Sequence, residues 1–305
     1  MIEIYELFAN DYTLRIVALG SAILSIISGA LGTYAVLRKQ SLLGDAVSHA
    51  AFPGICLVFL LTGLKRTEPL LLGALIAGWL AAILIRACVN NTRIKLDSAL
   101  GVTLSSFFGV GLIIITYIQK IPNSNQAGLD KFIFGQASTL LIKDIKIMTI
   151  LGVVALLIVI IFWKEFKLFC FDKEFGNTMG FSIKILDILL TTTIVIAIVI
   201  GLQTVGVILM SVMLIAPAIA ARQWTDRLWL MMIIASIFGA LSGVTGTVIS
   251  SLVRNIPTGP MIVIVISLIT FISILLAPKN GLVWKIIKKP LKTDTPIDVK
   301  GGREN

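Results

Sequence analysis

The chain has 305 residues, of which 57% are apolar and 14% charged, and its mean hydropathy is +1.00. That balance excludes a soluble domain of this size, and the long unbroken apolar runs exclude a β-barrel, whose segments are short and alternate. The net charge of +10 is not laid out as a basic groove interleaved with aromatics, so no nucleic-acid partner is expected. The sequence predicts an all-α, polytopic membrane protein surrounded by lipid.

About 20 apolar residues cross a bilayer core. By that measure spans fall near 14–37, 42–64, 69–88, 98–118, 145–163, 185–201, 204–222, 228–251 and 259–277. The sixth and seventh are divided only by Gly201-Leu202-Gln203, so eight to nine transmembrane helices are predicted. Residues 129–141 are apolar but short and read as an interfacial or re-entrant piece. Glu3, Glu6 and Asp11 precede the first span, where a cleavable signal would carry positive charge.

With the N-terminus outside and the C-terminus inside, 18 of the 26 basic residues lie on the cytoplasmic side. The opposite threading reverses that bias and is rejected. Residues 1–289 form one transmembrane domain with a large cytoplasmic loop at about 164–184, and 290–305 read as a loose, flexible cytoplasmic tail.

The second span carries the most informative residues. Asp45 and His49, the only histidine, sit in Ser41-Leu-Leu-Gly-Asp-Ala-Val-Ser-His-Ala-Ala-Phe-Pro-Gly-Ile. A spacing of four places both side chains on one helix face. Ionisable groups at membrane depth are costly, so such a pair points to a site, and both groups suit first-row divalent metals. The alternative is a polar clasp between helices. Counted from Arg38 and Lys39 at the cytoplasmic interface, Asp45 and His49 lie roughly 9 and 15 Å along a helix, close to mid-membrane.

Pro53 cannot donate to the carbonyl of His49, four residues earlier. A helix kink beside the pair is expected, with Gly44 and Gly54 allowing further irregularity. Two ligands are fewer than a divalent ion takes, and a twofold-related second copy would supply two more. Cys56 follows His49 by seven residues and reads as a small core residue rather than a ligand. Cys56, Cys88 and Cys170 form no disulfide pattern.

Small residues recur at four-residue spacing in Ser28/Gly32, Gly101/Ser105/Gly109 and Gly239/Gly243. Such faces allow close helix approach, with packing inside the chain favoured over a subunit interface. No Gly-x-x-x-x-Gly-Lys-Ser/Thr loop occurs, so the chain is not expected to hydrolyse ATP itself.

The segment Gly32-Thr-Tyr-Ala-Val-Leu-Arg-Lys-Gln-Ser-Leu-Leu-Gly-Asp-Ala-Val-Ser-His-Ala-Ala-Phe-Pro-Gly54 resembles the manganese/zinc/iron permease family of bacterial ABC importers. Phe134-Gly135, Val205 to Ala218 and Ala277-Pro278 resemble later family segments in order, so the likeness covers roughly 14–280. It implies a type II ABC importer permease fold in the bacterial cytoplasmic membrane. The family's metal-coordinating Asp and His fall on Asp45 and His49. Implied partners are a cytoplasmic ABC ATPase, an extracytoplasmic metal-binding lipoprotein and a second permease copy or paralogue. No cofactor is held permanently; the divalent ion (manganese, zinc or iron) is cargo.

Phe171-Asp-Lys-Glu-Phe-Gly-Asn-Thr-Met-Gly180 resembles the family's ATPase-coupling segment, which assigns that role to Phe171, Asp172, Glu174, Gly176 and Gly180. Gly176 stands where relatives usually carry Ala, a change expected to loosen the helix by roughly 1 kcal/mol. Three other functions compete. An ion-coupled secondary metal transporter would show repeats and more membrane carboxylates. A siderophore or vitamin permease would not need the Asp–His pair. A membrane metalloenzyme would need more ligands and a general base.

Overall fold

A computed structural model describes residues 11–63, 66–121, 135, 137, 140–253, 256–279 and 281–287. The described residues form helices and no strands. They are α1 (Tyr12–Leu37), α2 (Leu43–Thr62), α3 (Thr67–Asn91), α4 (Leu96–Lys120) and α5 (Ile142–Ile161). The short α6 (Trp163–Phe171) and α7 (Lys173–Thr178) follow, then α8 (Ile183–Leu202), α9 (Val207–Trp224), α10 (Leu228–Leu252), α11 (Thr258–Leu276) and α12 (Leu282–Ile287). Among the described residues, nine of these are long and apolar enough to cross a membrane: α1 to α5 and α8 to α11. The expected 129–141 piece and the 290–305 tail lie mostly or wholly outside the described residues, as does Phe134.

Helix boundaries follow local chemistry. The Asp11 carboxylate accepts from the Thr13 and Leu14 amides at 2.9 and 3.1 Å and caps α1. Gly63, at φ +63°, closes α2. The α8–α9 turn runs to Gly206, at φ +84°, so α9 starts three residues later than the hydropathy predicts. The Asp144 carboxylate reaches back to the Leu141 amide at 3.1 Å, which sets the start of α5.

α1 is the central post and packs on α10, α9, α5 and α8, while α2 packs on α3, α4 and α9. Small residues make the closest seams. A Cβ added at Gly32 would fall 1.7 Å from the Leu214 carbonyl oxygen. One at Gly239 would fall 2.5 Å from that of Ser25. One at Gly243 would fall 2.8 Å from that of Ser21, whose hydroxyl meets that of Thr247 at 2.9 Å. These seams confirm packing within the chain for two of the three small-residue faces. The third differs: Gly101 and Gly109 have nothing within 4 Å of an added Cβ, and Ser105 is exposed. That face of α4 points away from the rest of the chain.

Candidate metal site

α2 carries Asp45 in its first turn and His49 one turn on. The neighbours show where along the bundle they stand. A Cβ at Gly78, near the middle of α3, would touch both Val47 and Val195, so residue 47 lies level with the centres of α3 and α8. The His49 ring meets Phe108, midway along α4, edge to face at 4.6 Å between centroids. The pair therefore sits halfway along the surrounding helices even though α2 itself has only begun.

His49 Nε2 lies 3.4 Å from Asp45 Oδ1. Two ligands at about 2.1 Å from a tetrahedral ion stand roughly 3.4 Å apart, so the pair is already spaced to share one. His49 Nδ1 is buried and has no hydrogen-bond partner. The side chains are 35% exposed at Asp45 and 15% at His49, so both groups remain accessible. Asp45 opens onto a groove of about 440 Å³ whose walls include Ser211 and Ile215 of α9 and Ser267, Thr270 and Phe271 of α11. Among the described residues no group of three or more His, Cys, Asp or Glu side chains comes together. Cys56 lies in the core and belongs to no group of three or more such side chains among the described residues.

α2 continues as a helix on both sides of Pro53. Gly111 of α4 packs against the Pro53 ring and Phe52: a Cβ there would lie 3.2 Å from Pro53 Cδ. Gly44 and Gly54 serve close contact. A Cβ on Gly44 would reach Leu214 Cδ2 at 3.0 Å, and one on Gly54 would fall 2.1 Å from the Gly73 carbonyl oxygen. Bare glycine is thus what lets α2 lie against α9 and α3.

The loop at about 164–184 is two helices in succession. The Asp172 carboxylate caps α7 by accepting from the Phe175 amide at 2.9 Å. Phe171, Phe175 and Met179 are exposed, as is Glu174. Gly180, at φ +84°, turns the chain toward α8. Gly176 is buried, and a Cβ there would stand 3.2 Å from Ile183 and 3.4 Å from Leu168. Its absence relaxes a tight contact between α6, α7 and α8.

Sequence reading missed a second charged cluster. Arg38, just past α1, pairs with Asp187 of α8, and Arg86 of α3 reaches the other oxygen of that carboxylate at 3.0 Å. An acid in the apolar run Ile185-Leu-Asp-Ile-Leu-Leu190 was the available signal.

The comparisons agree with this architecture. Residues 10–277 match the ABC 3 transport family. The chain is 47% identical over 280 residues to the zinc transport system membrane protein TroC of Treponema pallidum, spanning 92% of this chain and 94% of that one. It is 48% identical over 269 residues to the manganese transport system membrane protein MntC of Bacillus subtilis, spanning 88% of this chain and 62% of that one. The solved structure of PsaBC from Streptococcus pneumoniae in complex with Fab superposes with a TM-score of 0.80 at 33% identity. That match covers 92% of this chain and 98% of the other. The chain belongs to the ABC 3 transport family and is a multi-pass membrane permease subunit of an ABC transporter.

Proposed function

We propose that this permease carries divalent transition metal ions inward, with manganese and zinc as the leading cargo and iron as a further candidate. Asp45 and His49 are the ligands in the middle of the membrane. The observation that carries this reading is their 3.4 Å separation, halfway along the bundle, with Asp45 open to a groove. The names of TroC and MntC support the choice of ion. Pro53 leaves the His49 carbonyl without its usual helical donor, which supplies one more oxygen near the ion.

A second copy or paralogue completes the coordination. Two carboxylates and two imidazoles neutralise and hold a 2+ ion, which lowers the cost of burying it. An extracytoplasmic metal-binding lipoprotein delivers the ion, and a cytoplasmic ATPase engages Phe171, Asp172, Glu174, Gly176 and Gly180, beside the exposed Phe175 and Met179. The chain itself performs no hydrolysis. It is oriented with its N-terminus outside and C-terminus inside, in the bacterial cytoplasmic membrane. An equilibrium nitrogen/oxygen site favours zinc over manganese, so manganese import would draw its selectivity from geometry and from the delivering protein.

Uptake of radiolabelled manganese and zinc by cells carrying the full transporter tests this reading. Asp45→Asn and His49→Ala are compared with wild type at matched membrane expression. Both lose uptake of the transported ion if the pair ligates it. Normal uptake in both reduces the pair to a clasp between helices.

A further inference from the structure

We infer that Arg38 and Asp187 are positioning residues that tie the ATPase-facing helices to the metal-bearing helix α2, so that the state of α6 and α7 sets the position of Asp45. This rests on the transport reading above. The observations converge on one side chain. Arg38 is 3% exposed, ends α1 and stands seven residues before Asp45. Its guanidinium pairs with Asp187 in the second turn of α8 and lies over the Phe169 ring of α6, 5.0 Å from the centroid. Lys173, the first residue of α7, lies 5.2 Å from the same centroid. One buried cation therefore touches α6 and α8 directly and shares a ring with α7. No other ion pair between described residues joins the helices on both sides of the coupling segment to the approach of α2.

The node is incompletely satisfied. One carboxylate serves two arginines, and Arg38 Nε and Nη1 are buried with no hydrogen-bond partner. Separating a buried cation from its carboxylate is costly, so Arg38 follows Asp187 when α8 moves. A cavity of about 330 Å³ beside it, lined by Arg38, Gln40, Arg86, Lys173 and Asp187, leaves room for that movement.

The link from Arg38 to Asp45 is short and under strain. Lys39 is the only non-glycine residue with positive φ among the described residues, at +56°. A left-handed lysine costs about 1–2 kcal/mol. The Gln40 amide donates back to the Ala35 carbonyl at 2.9 Å, and the Leu43 amide donates to the Gln40 carbonyl at 3.0 Å. The turn is thus hydrogen-bonded at both ends, and Asp45 follows two residues later. A shift at Arg38 can reach the metal ligand without passing through a flexible loop.

The test is the ratio of ATP hydrolysed to metal taken up, manganese or zinc, whichever wild type transports, in proteoliposomes holding the complete transporter with its ATPase and binding protein. Wild type is read first. If it takes up neither manganese nor zinc, the transport reading itself has failed, and the variants are not needed. With a transporting wild type, Arg38→Ala and Asp187→Asn are expected to keep hydrolysis while uptake falls about tenfold, raising the ratio by that factor. Arg38→Lys retains charge without the planar face, and Phe169→Leu retains volume without the ring. Each is expected to raise the ratio about threefold in assembled, folded complexes. An unchanged ratio in Arg38→Lys and Phe169→Leu overturns the inference. So does a fall of hydrolysis and uptake by the same factor in all four, because a merely structural role lowers both together.

Discussion

Two charged clusters among the described residues differ in how many elements supply them. Arg38, Asp187 and Arg86 come from three separate elements and close on one another. Asp45 and His49 come from one helix and face each other at 3.4 Å, and Asp45 opens onto a groove. Where several elements converge on a charge, the charge holds the fold. Where one helix presents two ligand-type groups and no third His, Cys, Asp or Glu among the described residues joins them, the pair stays accessible.

That contrast can be broken in graded ways. The largest expected effect is functional. Asp45→Asn or His49→Ala should cut metal uptake by about 100-fold or more, since even disturbing groups behind a ligand costs 10- to 100-fold. The detergent-solubilised variants should unfold like wild type. Next comes Asp187→Ala, which leaves the Arg38 guanidinium buried without its carboxylate. It should cost about 3–5 kcal/mol in denaturant-induced unfolding, while Arg86→Ala, which spares the Arg38–Asp187 pair, should cost about 0–1 kcal/mol. Equal losses in the two would mean that the cluster is a loose surface network.

Two glycines sharpen the same contrast in packing. Gly32→Ala puts a methyl group into the Leu214 carbonyl and should cost about 1–3 kcal/mol. Gly101→Ala meets nothing and should stabilise the isolated chain by about 0.5–1 kcal/mol. Circular-dichroism unfolding of the pair checks this.

The smallest effect concerns Cys170 on α6, outside the membrane-spanning helices. Burial pushes its thiol up to about 11, against the pull of Arg38 and Lys173. The thiolate is the reactive form, so alkylation at neutral pH should be slow and should accelerate as pH rises toward 11. Rapid alkylation at neutral pH would show that the cations around Arg38 dominate over burial.

Much of this was legible before any coordinates. The spans are long apolar runs bounded by charge, so most helices stand within two or three residues of their predicted limits. Asp45 and His49 stood out because ionisable groups are scarce in such runs. The start of α9 was misplaced because hydropathy does not register a turn made of buried residues such as Thr204 and Val205. Asp187 went unnoticed because its meaning depends on Arg38, 149 residues away in sequence. The outward face of α4 was also hidden, because Gly-x-x-x-Ser-x-x-x-Gly reads the same whether or not a partner helix covers it.

The central claim is that one ion is held by imidazole and carboxylate from α2. X-ray absorption at the zinc edge of the assembled, zinc-loaded permease tests it most directly. Imidazole scattering should be present in wild type and lost in His49→Ala. An unchanged spectrum in His49→Ala, with zinc still bound, would contradict it and send the search for the metal path elsewhere in the bundle.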